Sequence, residues 1–329
     1  MFRMTSKITV EKIKNEVKPV AIKWKRSITD YSDSATITLP AIAMLKSNDQ
    51  NTYTRVETGL QFREGLRVEI SCGYDGQNTV RFKGFIRRIN PKVPLELECE
   101  GYVYQLRKKQ NVSRSYKAGT TLKSILHDLI DGTDIKLSPS IPDIKIESPV
   151  PFKNMKATAV LDYFKEKMLM TVYFNEDVLY VGLREAEKKD TIKLRLGWNV
   201  MDGNELKFNK ERELATVNIS LSQKGKDGKA VYASKADPRN KSVKHMQLPL
   251  RVDKATLKKI EDEQRKKMQN RGYDGAISAF LVPYAEPGMA VSIEDQKYPE
   301  RTGSYFIEAV EGEFGSGGGK QKIKISSTL

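Results

Sequence analysis

Glu64-Gly65-Leu66-Arg67-Val68-Glu69-Ile70 and Pro287-Gly288-Met289-Ala290-Val291-Ser292-Ile293 are the two stretches on which the fold turns. In each, a glycine opens a run in which apolar and polar side chains alternate. Alternation at period two buries one face of an extended chain and wets the other, so both read as strands. Each is followed by a turn and a glycine-led strand: Gly84-Phe85-Ile86-Arg87-Arg88-Ile89 in one, Gly303-Ser304-Tyr305-Phe306-Ile307-Glu308-Ala309-Val310 in the other. Each copy closes in an alternating strand, Leu95 to Glu100 and Gln321 to Ser326, and a strand pair is expected upstream, at Ala21–Leu39 and Ala215–Tyr232. The order reads as one β module used twice. The alternative is that any two β domains share alternation and glycine turns.

Outward from these stretches, residues 1–111 read as a first antiparallel β domain, with turn chemistry at Asp75-Gly76 and Asn90-Pro91. Residues 112–189 change character. Leu122, Ile125, Leu126, Leu129 and Ile130 form a helical stripe ended by Gly132, and a second helix is expected from Ala157 to Met168. A hairpin follows, Thr171–Phe174 and Val178–Val181 around Asn175-Glu176-Asp177. Residues 190–329 return to strands, interrupted by a basic insertion at about 224–271 that holds 15 Lys and Arg against 6 Asp and Glu, a net +9. Lys254 to Arg271 reads as a charged helix with a weak stripe of Leu257, Ile260 and Met268, solvated and projecting from the second module. The fold class is mainly β with a smaller α/β part: two antiparallel barrel or sandwich domains flanking a small α/β domain.

The chain has 329 residues, 39% hydrophobic and 30% charged, which is ordinary for a folded soluble protein. It contains no apolar run of about 20 residues that would cross a bilayer as a helix. Met1–Lys7 lacks the apolar core of a secretory signal, so synthesis and assembly in the cytoplasm, without stable membrane insertion, are expected. Cys72 and Cys99 offer no disulfide framework or zinc cluster and are expected to be buried free thiols. The net charge of +15 permits binding to nucleic acid, anionic membrane or an acidic protein without choosing among them.

Motifs of chemistry are sparse. His127 and His245 stand without a nucleophile motif and read as surface or boundary residues. Gly315-Ser316-Gly317-Gly318-Gly319-Lys320 lacks phosphate-loop spacing and precedes a strand, so it reads as a hairpin tip. Glu98, Glu100, Glu308 and Glu311 are the carboxylates a hydrolase would recruit, but their alternation places them on a wet sheet face. No cofactor or metal site is expected. Nucleic-acid binding would fall to the insertion, which has one aromatic, Tyr232, and acids studding its helix. A contact with a partner protein through Lys241, Lys244, Lys258, Lys259, Arg265, Lys266 and Lys267 fits that mixed charge better.

The closing pattern Pro287-Gly288-x-x-Val291-x-Ile293, Tyr298-Pro299, Gly303-x-Tyr305-x-Ile307-x-x-Val310, Phe314-Gly315 resembles the end of baseplate hub proteins. These belong to contractile phages, phage-like bacteriocins and VgrG-type injection spikes (the late control protein D and VgrG-type hub family). Phe82-Lys83-Gly84-Phe85-Ile86 with Leu95-x-Leu97-x-Cys99-x-Gly101-Tyr102 is similar to their first barrel. The resemblance implies two tube-like β domains per subunit and a homotrimer whose pseudo-sixfold ring joins a threefold spike to a sixfold tail tube. It further implies a non-enzymatic structural role in a virion tail or injection-system baseplate. Spike, tube and other baseplate subunits would be the partners, with nucleic acid only as passing cargo. No wall-cutting or needle-like segment is recognised, so those tasks are expected of other subunits. A nucleic-acid-binding protein and a cell-wall hydrolase of a tail tip are the alternatives.

Overall fold

In a computed structural model the chain is described over residues 3–46, 53–183, 190–201, 205–209, 218–234, 243–268 and 272–328. The first β unit comprises β1 (Met4–Val10), β2 (Ala21–Ser27), β3 (Ser34–Leu39), β4 (Ile42–Lys46), β5 (Tyr53–Glu57), β6 (Arg67–Tyr74), β7 (Gln77–Asn90) and β8 (Leu95–Glu100). Apart from the separate hairpin β4–β5, these strands pair in the order β1-β6-β7-β8-β3-β2, all antiparallel. The alternation does what it promises. Ile22, Ile37, Ile70, Ile86 and Leu97 are fully buried in one core, together with Cys72 and Cys99.

A smaller unit follows: α1 (Val103–Lys108), β9 (Val112–Tyr116), β10 (Thr120–Thr121), α2 (Leu122–Ile130), β11 (Lys136–Leu137), β12 (Lys145–Ile146), β13 (Val150–Met155), α3 (Ala157–Asp162), β14 (Thr171–Asn175) and β15 (Val178–Gly182). Thr121 caps α2 by accepting from the Ser124 N–H, satisfying one of the amides a helix start leaves unpaired. The expected second helix keeps its α form only to Asp162 and runs on as a π turn over Tyr163–Lys167. The expected hairpin closes at Asn175↔Val178.

The remainder is β16 (Thr191–Arg195), β17 (Lys207–Asn209), β18 (Asn218–Lys224), β19 (Ala230–Tyr232), β20 (Val243–Leu248), α4 (Lys254–Met268), β21 (Gly272–Phe280), β22 (Ala290–Glu294), β23 (Gly303–Gly315) and β24 (Gly318–Thr328). Its larger sheet runs β16-β22-β23-β24-β21-β17, the same order as β1-β6-β7-β8-β3-β2 element for element. The one change of direction is at the outer strand, where β16 lies parallel to β22 and β1 antiparallel to β6.

The likeness extends to single bonds. Gly65 N–H donates to the Ile86 carbonyl and Ile86 N–H to that of Leu66; Gly288 N–H donates to Ile307 and Ile307 N–H to Met289. Both glycines have positive φ, 87° and 91°, where a side chain would be strained. A register slip recurs at the same place in the two copies, between Ile86 and Arg88 and between Ile307 and Ala309, so a β-bulge is repeated there.

Two expectations need correction. The strand pair upstream in the second copy is not Ala215–Tyr232 but β17 with β21, brought together across the whole intervening segment. The insertion, with β18 leading into it, is not a solvated arm. Ile219, Leu221, Leu248, Leu250, Val252, Leu257 and Ile260 are buried in the same core as Leu122, Ile146, Val160 and Phe164 of the small unit. The reason is elementary: a strand and a helix that each carry an apolar stripe must cover it. The small unit supplies the cover. Val252 joins the two, forming an antiparallel bridge with Ile146 of the small unit while Gln223 donates to its carbonyl at 2.7 Å and accepts from its N–H at 2.9 Å.

Candidate functional site

The two copies are joined edge to edge. β2 pairs antiparallel with the second half of β23, Ile22↔Phe314 through Ser27↔Ala309, which fuses both modules into one 12-stranded sheet. Across this seam runs a groove of about 570 Å³, lined by Lys23, Lys25, Thr36, Glu311, Glu313 and Lys322 among others. The groove lies on the charged face of the sheet, whose charges are zipped across strands. Lys25 meets Glu311 at 3.3 Å, Lys320 meets Glu313 at 2.8 Å, Lys322 meets Glu205 at 2.7 Å and Lys324 meets Glu308 at 3.2 Å. Opposite charges facing each other on neighbouring strands support the pairing, and like charges would oppose it.

The seam's other face is packed shut. The Trp24 ring lies against Gly312, where an added Cβ would stand 2.0 Å from the ring. Beside it, Arg26 is 7% exposed and reaches Asn175 at 3.0 Å, Tyr284 at 3.3 Å, Glu286 at 3.4 Å and Asp33 at 3.5 Å. One guanidinium therefore ties the first module to the second and to the small unit. Burial works against its charge, but Asp33, Tyr284 and Glu286 outweigh it and raise the Arg26 pKa. Burial also pushes the Asp33 carboxyl up to about 7, against the pull of Arg26 and the Ser27 N–H. Arg81, 2% exposed, lies over the Tyr284 ring, 4.8 Å from its centre, and donates to the Leu281 carbonyl at 2.7 Å. No sequence pattern pointed to this node, since a single buried arginine in an alternating strand looks like any surface one.

The hydrolase carboxylates are committed elsewhere. Glu98 is bonded by Asn90 and Arg87, which hold it below its ordinary pKa. Glu308 and Glu311 belong to the zipper. Glu100 departs from the expected wet face: it is 4% exposed, bonded by Arg107 at 2.7 Å and Ser32 at 3.0 Å, because the strand ends there and turns inward at Gly101. His127 and His245 are exposed, as expected. Cys72 and Cys99 are free and buried, and burial pushes both thiols up to about 12. Among the described residues no cluster of His, Cys, Asp or Glu is arranged to hold a metal ion, and no helix is long and apolar enough to cross a membrane.

Of the seven basic residues expected to meet a partner, Lys244 on β20 and Lys259 on α4 are exposed. Lys258 and Arg265 turn toward Glu261, which is fully buried; Lys258 stands 3.0 Å from it and Arg265 3.8 Å. Ser234 adds a hydroxyl at 2.7 Å from each carboxylate oxygen. These two cations compensate a buried carboxylate. Lys241 lies outside the described residues, and the side chains of Lys266 and Lys267 do as well.

Comparison with known proteins was informative only at the level of structure. A tail protein from Neisseria meningitidis superposes with a TM-score of 0.65 at 11% identity, covering 99% of this chain and 97% of its own. The 43 kDa tail protein of prophage MuSo2 from Shewanella oneidensis gives 0.65 at 12% identity, with 98% of each chain covered. The chain has a phage-tail-protein fold. A component of the Escherichia coli type VI secretion system, described as similar to the T4 bacteriophage tail proteins gp27 and gp5, gives 0.55 at 8% identity over 98% of this chain and 76% of its own. No protein-family model matches the sequence, and no curated protein matches it either.

Proposed function

We propose that this chain is the structural hub of a phage tail or related injection machine. Three copies would form a ring that joins a sixfold tail tube to a threefold central spike. The observation that carries this reading is the doubled module. β7-β8-β3-β2 and β23-β24-β21-β17 are consecutive four-stranded halves of one sheet. A chain with two equivalent walls presents six around a threefold axis, and that is what a threefold-to-sixfold adapter requires. Interfaces between unlike surfaces close into a ring or run on as a filament, and a joint between a threefold and a sixfold part requires the ring.

The fold shared with a secretion-system component likened to gp27 and gp5 supports a spike and baseplate setting in a virion tail or baseplate. A structural role without turnover fits carboxylates locked into cross-strand pairs. Nucleic acid enters this reading only as cargo passing the wall. The exposed Lys244 and Lys259 remain available to a neighbouring baseplate protein.

The test is the native mass by light scattering in high salt over a range of concentrations. A stable mass of three subunits is expected. A chain that stays monomeric at every concentration, and also when its spike is co-expressed, would overturn the proposal.

A further inference from the structure

The repeated topology leaves one place unfilled. β23 carries three partners, with β22 and β24 beside it and β2 along the outer edge of its second half. Its counterpart β7 has only β6 and β8. The edge of β7 that corresponds to the β2-binding edge of β23 is therefore open among the described residues, over Arg88, Ile89 and Asn90. At the far end of the sheet β17, the counterpart of β2, pairs among the described residues with β21 alone.

Burial agrees with topology. At the internal seam Trp24, Arg26, Ala309 and Val310 are all buried, at 4%, 7%, 6% and 2% exposure. Their counterparts are Leu206, Phe208, Arg88 and Ile89. Of these Leu206, Phe208 and Ile89 are half-buried and Arg88 is exposed. The same positions are covered where the seam exists and uncovered where it does not.

We infer that the open edge of β7 receives β17 of a second copy of this chain, in the register of the internal seam. That register places Phe208 opposite Ile89, Lys207 opposite Asn90 and Asn209 opposite Arg88, as Arg26↔Val310, Lys25↔Glu311 and Ser27↔Ala309 do within the chain. An exposed strand edge is a template for such pairing, and the backbone supplies the bonds. The chemistry of the side chains suits it. The apolar pair Phe208 and Ile89 stands where Arg26 meets Val310, so the central pair carries no charge, while Arg88, in the place of Ala309, brings its charge to the end of the seam. On the charged face Lys23 and Glu313 give way to Glu205 and Lys92, opposite charges with the signs reversed. Within one chain the two edges terminate an eight-strand run from β7 to β17, so the partner edge comes from another copy.

This inference rests on the ring proposed above, and the experiment separates the two. Lys207→Cys and Asn90→Cys are made singly, mixed, and oxidised, beside a mixture of Lys207→Cys with Ile89→Cys. A slip of one residue moves a side chain to the opposite face, so the second mixture reads register. The expected result is a band of twice the chain mass in the first mixture, little in the second and none with the native cysteines alone. The double variant Lys207→Cys/Asn90→Cys should run as covalent dimers and trimers. If light scattering gives a three-subunit mass and no cross-link forms, the ring stands and this seam is wrong. Cross-linking at Ile89 in preference to Asn90 overturns the register. A chain that stays monomeric, also with its spike co-expressed, and never cross-links sinks the seam and the ring together.

Discussion

Gly312→Ala is the sharpest probe of the internal seam. The new Cβ would stand 2.0 Å from Cζ2 and 2.2 Å from Cε2 of Trp24. Carbon atoms settle at about 3.5–4.0 Å, so the ring or the strand must retreat by roughly 1.5 Å. The ring has little room, being 4% exposed with the Arg81 guanidinium 5.9 Å from its centre. Overpacking of a filled core costs about 1–3 kcal/mol, and the upper end is expected because both partners are held in one sheet. At about 2 cal/mol/K per residue of unfolding entropy, about 3 kcal/mol lowers the midpoint of a cooperative 329-residue chain by roughly 4 °C. The assay is urea unfolding of the wild type, Gly312→Ala, Trp24→Leu and the double variant. Leucine withdraws the ring, so the double variant should lose less than the sum of the singles, with a coupling of about 1 kcal/mol or more. A Gly312→Ala midpoint indistinguishable from wild type, or strict additivity, would refute the contact.

Three further outcomes are expected. Cys72 and Cys99, buried with thiols pushed up to about 12, should resist a thiol reagent at neutral pH and both react once the chain is unfolded. Rapid labelling of the native protein would contradict their burial. The Asp33 carboxyl, pushed up to about 7 from 3.8, keeps its proton in the folded chain where the unfolded chain has lost it. Its stabilising contribution is complete below about pH 4 and is lost as pH rises through about 7. The wild type should therefore exceed Asp33→Asn in melting temperature by more at pH 5 than at pH 8, and the reverse ordering would refute the sign. In the basic segment, Lys258→Met with Arg265→Met should cost about 3 kcal/mol by stranding the buried Glu261, whereas Lys244→Ala and Lys259→Ala should stay within about 0.5 kcal/mol of wild type by chemical denaturation.

The sequence by itself determined the elements and their inward faces. Gly65 and Gly288 mark the same positive-φ turn because no other residue adopts it without strain, and that demand survives in the letters. The α2 stripe, the hairpin at Asn175–Val178 and the burial of both cysteines were legible for the same reason: periodicity records which side of an element meets a core. Periodicity does not record which core. The segment 218–232 alternates well enough to be mistaken for the module's missing strands, while the true partner β17 spans only Lys207–Asn209 and carries no period to read. Joining β17 to β21 across the insertion, and folding that insertion onto the small unit, are long-range choices settled by total burial and loop closure. The charge pattern was equally mute about Arg26 and Glu261, whose letters match those of surface residues. Only the tertiary structure decided that these charges are buried and compensated, that two modules share one sheet, and that part of β7 and the outer side of β17 are left unpaired among the described residues. Pairing is a property of strands brought side by side, and that proximity is created by the fold.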